Sequence, residues 1–165
     1  MTINTLDELY VHEIADLLDA NKQTKPMHQK MMDVATDASL KTALADAVAG
    51  IDTGIAALEQ ICAHHGERSP NATCKGMQGL VREAEAHCVN EKFGDPAVRD
   101  ASIISQAQRM NHYALAGYGT AAAFAKALGH TEDAAILKEH LGNIYSGDER
   151  LTKIAEGGVN REAKS

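Results

Sequence analysis

Apolar side chains recur every three or four residues along most of this chain, a spacing that is typical of amphipathic helices. Alanine, a strong helix former, occupies 28 of the 165 positions, whereas aromatic residues make up only 4% of the chain. A β-sandwich or barrel would use more β-branched and aromatic residues. The pattern therefore predicts an all-α protein, and the length fits one domain over residues 1–165.

Local capping signals divide the pattern into four long helices and one short helix. The residues expected to open the four long helices, by capping them or by lying in their first turn, are Thr5, Asp37, Pro96 and Thr131. Pro26 falls inside the first helix and is expected to kink or interrupt it. Gly129 is expected to end the third long helix, and Gly157–Gly158 the fourth, which leaves a loose tail after about residue 157.

The short helix falls between the second and third long helices, after a polar stretch at residues 66–73. A long connection at this point is typical of the ferritin-like variant of the four-helix bundle. We therefore predict an antiparallel ferritin-like four-helix bundle with one extra short helix in the crossover.

Charge and composition exclude several classes of protein. The net charge of −7 disfavours broad contact with a nucleic-acid backbone. No apolar run reaches the ~18–20 residues of a membrane span, and the first residues lack the apolar core of a secretory signal. Three cysteines without a CxxC motif suit a reducing compartment. We expect a cytoplasmic protein without a nucleic-acid or membrane partner.

Several polar residues fall on or beside the apolar stripes, at Asn21, Asp52, Asn111, His112, Asn143 and Asp148. In a four-helix bundle they could converge at one level of the core. A di-iron bundle would place a Glu there from each of two helices and a Glu-x-x-His from each of the other two. None of the eight histidines has a Glu three residues before it. The residues alone favour a hydrogen-bonded polar layer over a metal site.

Two weaker patterns also use metal-binding side chains. Methionines surround His28, as copper(I) would favour, and a zinc site could draw on Cys62, His64, His65 and Cys74. Burial of these side chains in a core is the simpler interpretation of both patterns. Gly50 and Gly54 lie four apart and are expected to let a bulky side chain such as Tyr113 or Tyr145 approach closely.

Five stretches carry a family resemblance: LDELYVHEIADLLDANKQ (6–23), CKGMQGL (74–80), VRDASIISQA (98–107), QRMNHYALAGYGT (108–120) and DERLTKIA (148–155). Together they resemble the YciE/YciF-type ferritin-like family, and its YciF branch in particular, over nearly the whole chain. The resemblance implies an antiparallel bundle, a homodimer and a link to bacterial stress responses. The family is often described as ferroxidase.

This chain departs from the family at the positions implied to bind iron. Glu is replaced on all four helices, three times by Asn, at Asn21, Asn111 and Asn143. Of the implied ligand set, the residues that could still bind a metal are Asp52, His112 and Asp148. The comparison with the family predicts a degenerate di-iron centre, with no catalytic residue and no cofactor, and with iron as the alternative.

Three functions follow as hypotheses. The leading one is a non-catalytic, stress-associated protein with a structural or interaction role, and we lean against an enzyme. The alternative is a metal-binding oxidase or iron-handling protein with an altered site. The third is a small-molecule binder, which a cavity lined by Asn21, Asn111 and Asn143 would support.

Overall fold

A computed structural model of the protein describes residues 2–66 and 72–164, and within these ranges it contains helices and no strand. The elements are α1 (Leu6–Val34), α2 (Ala38–His64), α3 (Lys75–Ala84), a π-helical segment (Glu85–Asn90), α4 (Pro96–Leu128), α5 (Thr131–Ile154), a second π-helical segment (Ala155–Val159) and α6 (Asn160–Glu162). None of the helices in these two ranges combines the length and the apolar character that crossing a bilayer requires. The predicted all-α class, with four long helices and a short one, is confirmed.

Side-chain caps begin the helices largely where the sequence predicts them. The Thr5 hydroxyl accepts a hydrogen bond from the Glu8 amide at 3.1 Å, and the Asp37 carboxylate accepts one from Leu40. Asp95 caps α4 through its side chain, which places Pro96 in the first turn. Gly129 ends α4 with φ at 81°, a left-handed conformation that favours glycine.

Helical structure continues through two places where the sequence suggests a break. Pro26 does not interrupt α1, which runs unbroken from Leu6 to Val34. The chain also does not leave the helical path at Gly157–Gly158, because a π-helical turn leads on into α6. The wider turn points Val159 into the core, where it is 1% exposed. Burial of this side chain holds the end of the chain on the bundle.

The four long helices form a bundle in which α1 packs against α2 and α4, and α5 packs against α4 and α2. Near the start of α4, Asp100 bonds to the turn between α1 and α2, so α2 and α4 begin at the same end and run parallel. The long crossover that joins them contains α3, which lies against α1 and α4. This connectivity is the ferritin-like one.

Among the described residues, the core is formed by two apolar clusters, one toward each end of the bundle. One cluster is built around Tyr10, Ile14, Leu58 and Leu137, where α1 and α5 begin. The other is rich in methionine and contains the side chains Met27, Met31, Leu40, Met77 and Met110. The middle turns of the four long helices fall between these clusters, and the polar interior lies there.

Candidate functional site: a polar cavity in the middle of the bundle

A cavity of about 310 Å³ lies at the middle level, between α1, α2, α4 and α5. Small residues make the room for it, since Ala47 and Gly50 on α2 face Ser146 and Gly147 on α5. These α2 and α5 residues are partly or fully exposed, so the cavity opens between the two helices. The polar residues on its wall and rim are Asn21, Thr24, His28, Asp46, Asn111, Tyr118, His140, Asn143, Ser146 and Arg150.

Asn21 and Tyr118 form a hydrogen-bonded pair in the buried wall of the cavity. The Tyr118 hydroxyl donates to the Asn21 side-chain oxygen at 3.4 Å, and the Asn21 amide donates to the Leu17 carbonyl at 2.8 Å. Burial raises the pKa of Tyr118, so its phenol stays protonated and keeps donating. Asn21 is therefore a neutral side chain whose nitrogen and oxygen each have a hydrogen-bond partner.

Two histidines add neutral imidazoles to the same wall. His28 is 1% exposed, and desolvation lowers its pKa to about 4. Its Nδ1 lies 3.2 Å from the Thr24 carbonyl, which assigns the proton to Nδ1 and leaves a lone pair on Nε2. Burial also lowers the pKa of His140, whose ring centroid lies 5.9 Å from that of Tyr118. At neutral pH the wall is polar but carries little charge.

The predicted amide positions meet at the cavity but are not equally buried. Asn21 is 7% exposed and Asn111 is half-buried, whereas Asn143 lies exposed at the cavity rim. All three amides therefore line one cavity, Asn143 from its rim and not from the core. Small residues on α2 and α5 leave the opening beside which Asn143 lies.

The three predicted metal ligands do not converge at one point. His112 Nε2 lies 3.0 Å from Asp148 Oδ2, with His112 largely exposed. Asp52 instead forms an ion pair with Lys25 at 2.6 Å, on the exposed side of α1 and α2. The structure thus joins His112 and Asp148 and separates Asp52 from them. Metal binding by this pair stays a prediction.

Carboxylates are scarce around the cavity. Among the described residues that line it, only Asp46 is acidic, and Asp46 pairs with Arg150 across the opening at 2.5 Å. A di-iron centre of the ferritin-like type uses four Glu and two His at this level. The donor set present here does not fit that group.

The apolar stripes predict the cavity amides but not the tyrosine that approaches α2 beside them. Tyr118, not Tyr113 or Tyr145, approaches Gly54. Tyr113 packs against Gly76 of α3, and Tyr145 is 58% exposed. The Gly50–Gly54 spacing signals a close approach on α2 but not which side chain makes it, because that depends on how the helices are rotated about their axes.

The fold and the cavity define a ferritin-like four-helix bundle protein with a polar middle level. A family model described as a domain of unknown function, DUF892, matches residues 5–164, and the chain belongs to this family. The chain is 30% identical to protein YciF of Escherichia coli strain K12 over 166 aligned residues, which include all of this chain and 99% of YciF.

Two solved structures share the fold over nearly their whole length. The crystal structure of the E. coli stress protein YciF has a TM-score of 0.88 at 30% identity and covers 96% of this chain and 99% of its own. YcfI from Rhodopseudomonas palustris, for which a structural role has been suggested, has a TM-score of 0.85 at 29% identity. The match covers 91% of this chain and 94% of YcfI. The resemblance to the YciF branch is confirmed.

Proposed function

We propose that this protein is a stress-associated member of the YciF-like family that acts by binding and lacks a di-iron oxidase centre. Its ligand is a small, uncharged organic molecule held in the mid-bundle cavity. The observation that carries this proposal is the chemistry of the cavity wall, which offers amides, imidazoles and a phenol where a di-iron bundle has carboxylates.

Charge argues against two iron ions in this space. Two hard cations need anionic oxygen ligands, and a neutral amide such as Asn21 or Asn111 cannot offset their charge. Asp46 is engaged by Arg150 at the rim. The buried ends of the cavity instead offer His28 and Tyr118, which are groups that suit hydrogen bonding.

Size and access favour a ligand of organic dimensions. A volume of about 310 Å³ is at the lower end of small-molecule sites, which are mostly apolar with a few fixed polar groups. The alanines, methionines and leucines of this wall supply the apolar part, and Asn21 with Tyr118 supplies an ordered polar point. The opening between α2 and α5 gives a path from solvent.

Anaerobic loading with ferrous iron tests the absence of the di-iron centre. Metal analysis of the loaded, desalted protein should find far fewer than two iron ions per chain, with no rapid oxidation of iron on exposure to air. Two irons per chain would overturn the proposal and favour the altered oxidase. In that case, loss of iron in His112→Ala but not in His87→Ala would place the metal at the His112–Asp148 pair.

A variant that fills the cavity tests the binding role. A Cβ on Gly50 meets nothing within 4 Å, so Gly50→Phe should place a ring in the cavity mouth without breaking the fold. Gly142→Phe, on the exposed surface of α5 and outside the cavity lining, is the matched control.

The probes are small neutral amides, ureas, alcohols and aromatic heterocycles, measured by saturation-transfer difference NMR. We expect members of the panel to bind the wild type and Gly142→Phe but not Gly50→Phe. Absence of binding across the panel, or equal binding to all three proteins, would contradict the proposed cavity ligand. The homodimer that the family resemblance implies stays a prediction, which sedimentation velocity on the same samples checks.

A further inference from the structure

We propose a second site, separate from the cavity, in which Asp7, His65 and His130 bind one divalent transition-metal ion of the zinc type. One donor atom from each of the three side chains lies within 4.8 Å of the other two. The three residues come from different segments that meet at one end of the bundle. Asp7 is in the first turn of α1, His65 follows α2, and His130 precedes α5.

The spacing of the donors is close to that of a metal-bound set. His130 Nε2 lies 3.4 Å from Asp7 Oδ1, and the ring centroids of His65 and His130 are 4.6 Å apart. Two ligands at about 2.0–2.1 Å from a tetrahedral zinc ion are separated by roughly 3.3 Å. The His130–Asp7 pair already has this separation, and the other donor pairs, which lie within 4.8 Å, would shorten by at most about 1.5 Å to reach it.

A buried carboxylate orients one of the histidines from behind. Asp133 is 5% exposed and accepts hydrogen bonds from His65 Nε2 at 2.8 Å and from the Tyr10 hydroxyl at 2.9 Å. Burial and the Asp133 carboxylate raise the pKa of Tyr10, so its phenol remains a donor. With Nε2 of His65 on Asp133, the proposed ion would bind His65 through Nδ1, and the carboxylate would orient the ring as it does behind many metal-bound histidines.

Exposure and donor type indicate which ion fits. The side chains of His65, His130 and Asp7 are 17%, 30% and 59% exposed, so solvent can reach the site and supply a fourth ligand. Two imidazoles with one carboxylate suit zinc and its first-row neighbours, whereas calcium and magnesium select oxygen donors. The bound ion would join the start of α1, the end of α2 and the start of α5.

Zinc binding to the full chain, stripped of metal and free of any affinity tag, tests the site. Competition with a chromogenic chelator at pH 7.5 should give one zinc ion per chain and a rise in Tm, since an ion that binds only the folded state stabilises it. His130→Gln and Asp7→Asn should each weaken binding at least tenfold. Asp133→Asn should weaken it about 10–100-fold, through loss of orientation of His65.

A matched variant and a spectroscopic probe make the test specific. His87→Gln changes an exposed histidine that pairs with Glu83 near the opposite end of the bundle, and it should bind zinc like the wild type. Cobalt(II) should show the intense visible bands of a four-coordinate site in the wild type and in His87→Gln, and lose them in His130→Gln.

Asp7 is exposed, so Asp7→Asn should leave the fold intact, which far-ultraviolet circular dichroism of the metal-free protein checks. Zinc affinity unchanged in both Asp7→Asn and His130→Gln would overturn the site, and so would an equal loss in His87→Gln. Iron loading repeated on His130→Gln distinguishes the two sites. Iron bound at this end of the bundle would be lost in the variant, whereas iron bound in the middle of the bundle would be retained.

Discussion

The Tyr118 hydroxyl occupies the space into which a side chain at position 54 would project. A Cβ built on Gly54 comes within 2.8 Å of the Tyr118 oxygen, closer than real Cβ contacts allow. Tyr118 is 1% exposed, so a side chain at position 54 would have to displace a buried phenol from its hydrogen bond to Asn21. Because Gly54 has no side chain, Tyr118 can reach Asn21 and form part of the cavity wall.

Gly54→Ala should lower the free energy of unfolding by about 1–2 kcal/mol, because the added methyl overpacks against Tyr118. Gly50→Ala meets nothing within 4 Å and should raise it by about 0.5–1 kcal/mol through better helix propensity. Urea denaturation measures both. Removing the hydroxyl in Gly54→Ala/Tyr118→Phe should recover part of the loss. Equal effects of the two alanine substitutions would contradict the contact.

Asp100 fastens the start of α4 to the turn between α1 and α2. Its carboxylate is 2% exposed and accepts from the Thr36 amide at 2.9 Å, the Thr36 hydroxyl at 2.6 Å and the Asp37 amide at 2.7 Å. Asp100→Ala should cost about 1–3 kcal/mol in urea denaturation, because three hydrogen bonds to a buried carboxylate are lost, while the donors of the exposed Thr36 can bond to water instead. Asp33→Ala, an exposed control, should change stability by less than about 0.5 kcal/mol.

His28 should make the protein sensitive to acid. Its pKa is lowered from 6.5 to about 4 in the folded state, so between these pH values the unfolded chain binds a proton that the folded chain does not. The stability that depends on the neutral ring is present above pH 6.5 and is lost as the pH falls toward 4. Between pH 7 and pH 5 the wild type should lose about 2 kcal/mol more than His28→Leu does. Parallel pH curves for the two proteins would refute this role.

The three cysteines should react slowly in the folded protein. Cys62, Cys74 and Cys88 are all buried, and burial raises the pKa of the Cys88 thiol to about 11 and that of the Cys74 thiol in the same direction. Since the thiolate is the reactive form, a disulfide reagent at pH 7.5 should label the native chain far more slowly than the denatured one. The denatured chain should release three equivalents of the reagent's leaving thiol, one per cysteine, which calibrates the assay. A cysteine that is labelled rapidly and completely in the native protein would contradict this prediction.

Helix positions and caps could be predicted because they depend on neighbouring residues. Asp37 and Gly129 act within one helical turn, so their roles can be inferred from a few letters of sequence. The course of the chain after residue 157 could not be predicted, because Val159 is held by contacts with distant helices. The same limit applies to Asn143, since a helix rotates by about 100° per residue and a small phase difference moves a side chain from core to rim.

The sequence by itself determined the class of fold and the shortage of carboxylates among the polar positions of the core. Apolar periodicity and residue identity are enough for both. The tertiary structure alone decided that small residues on α2 and α5 leave a cavity, and that Tyr118 completes its wall. It alone also brought His130 within 3.4 Å of Asp7, which is 123 positions away in the chain. The physical reason is that a cavity or a ligand cluster depends on how separate helices are rotated and spaced, and no local pattern encodes that packing.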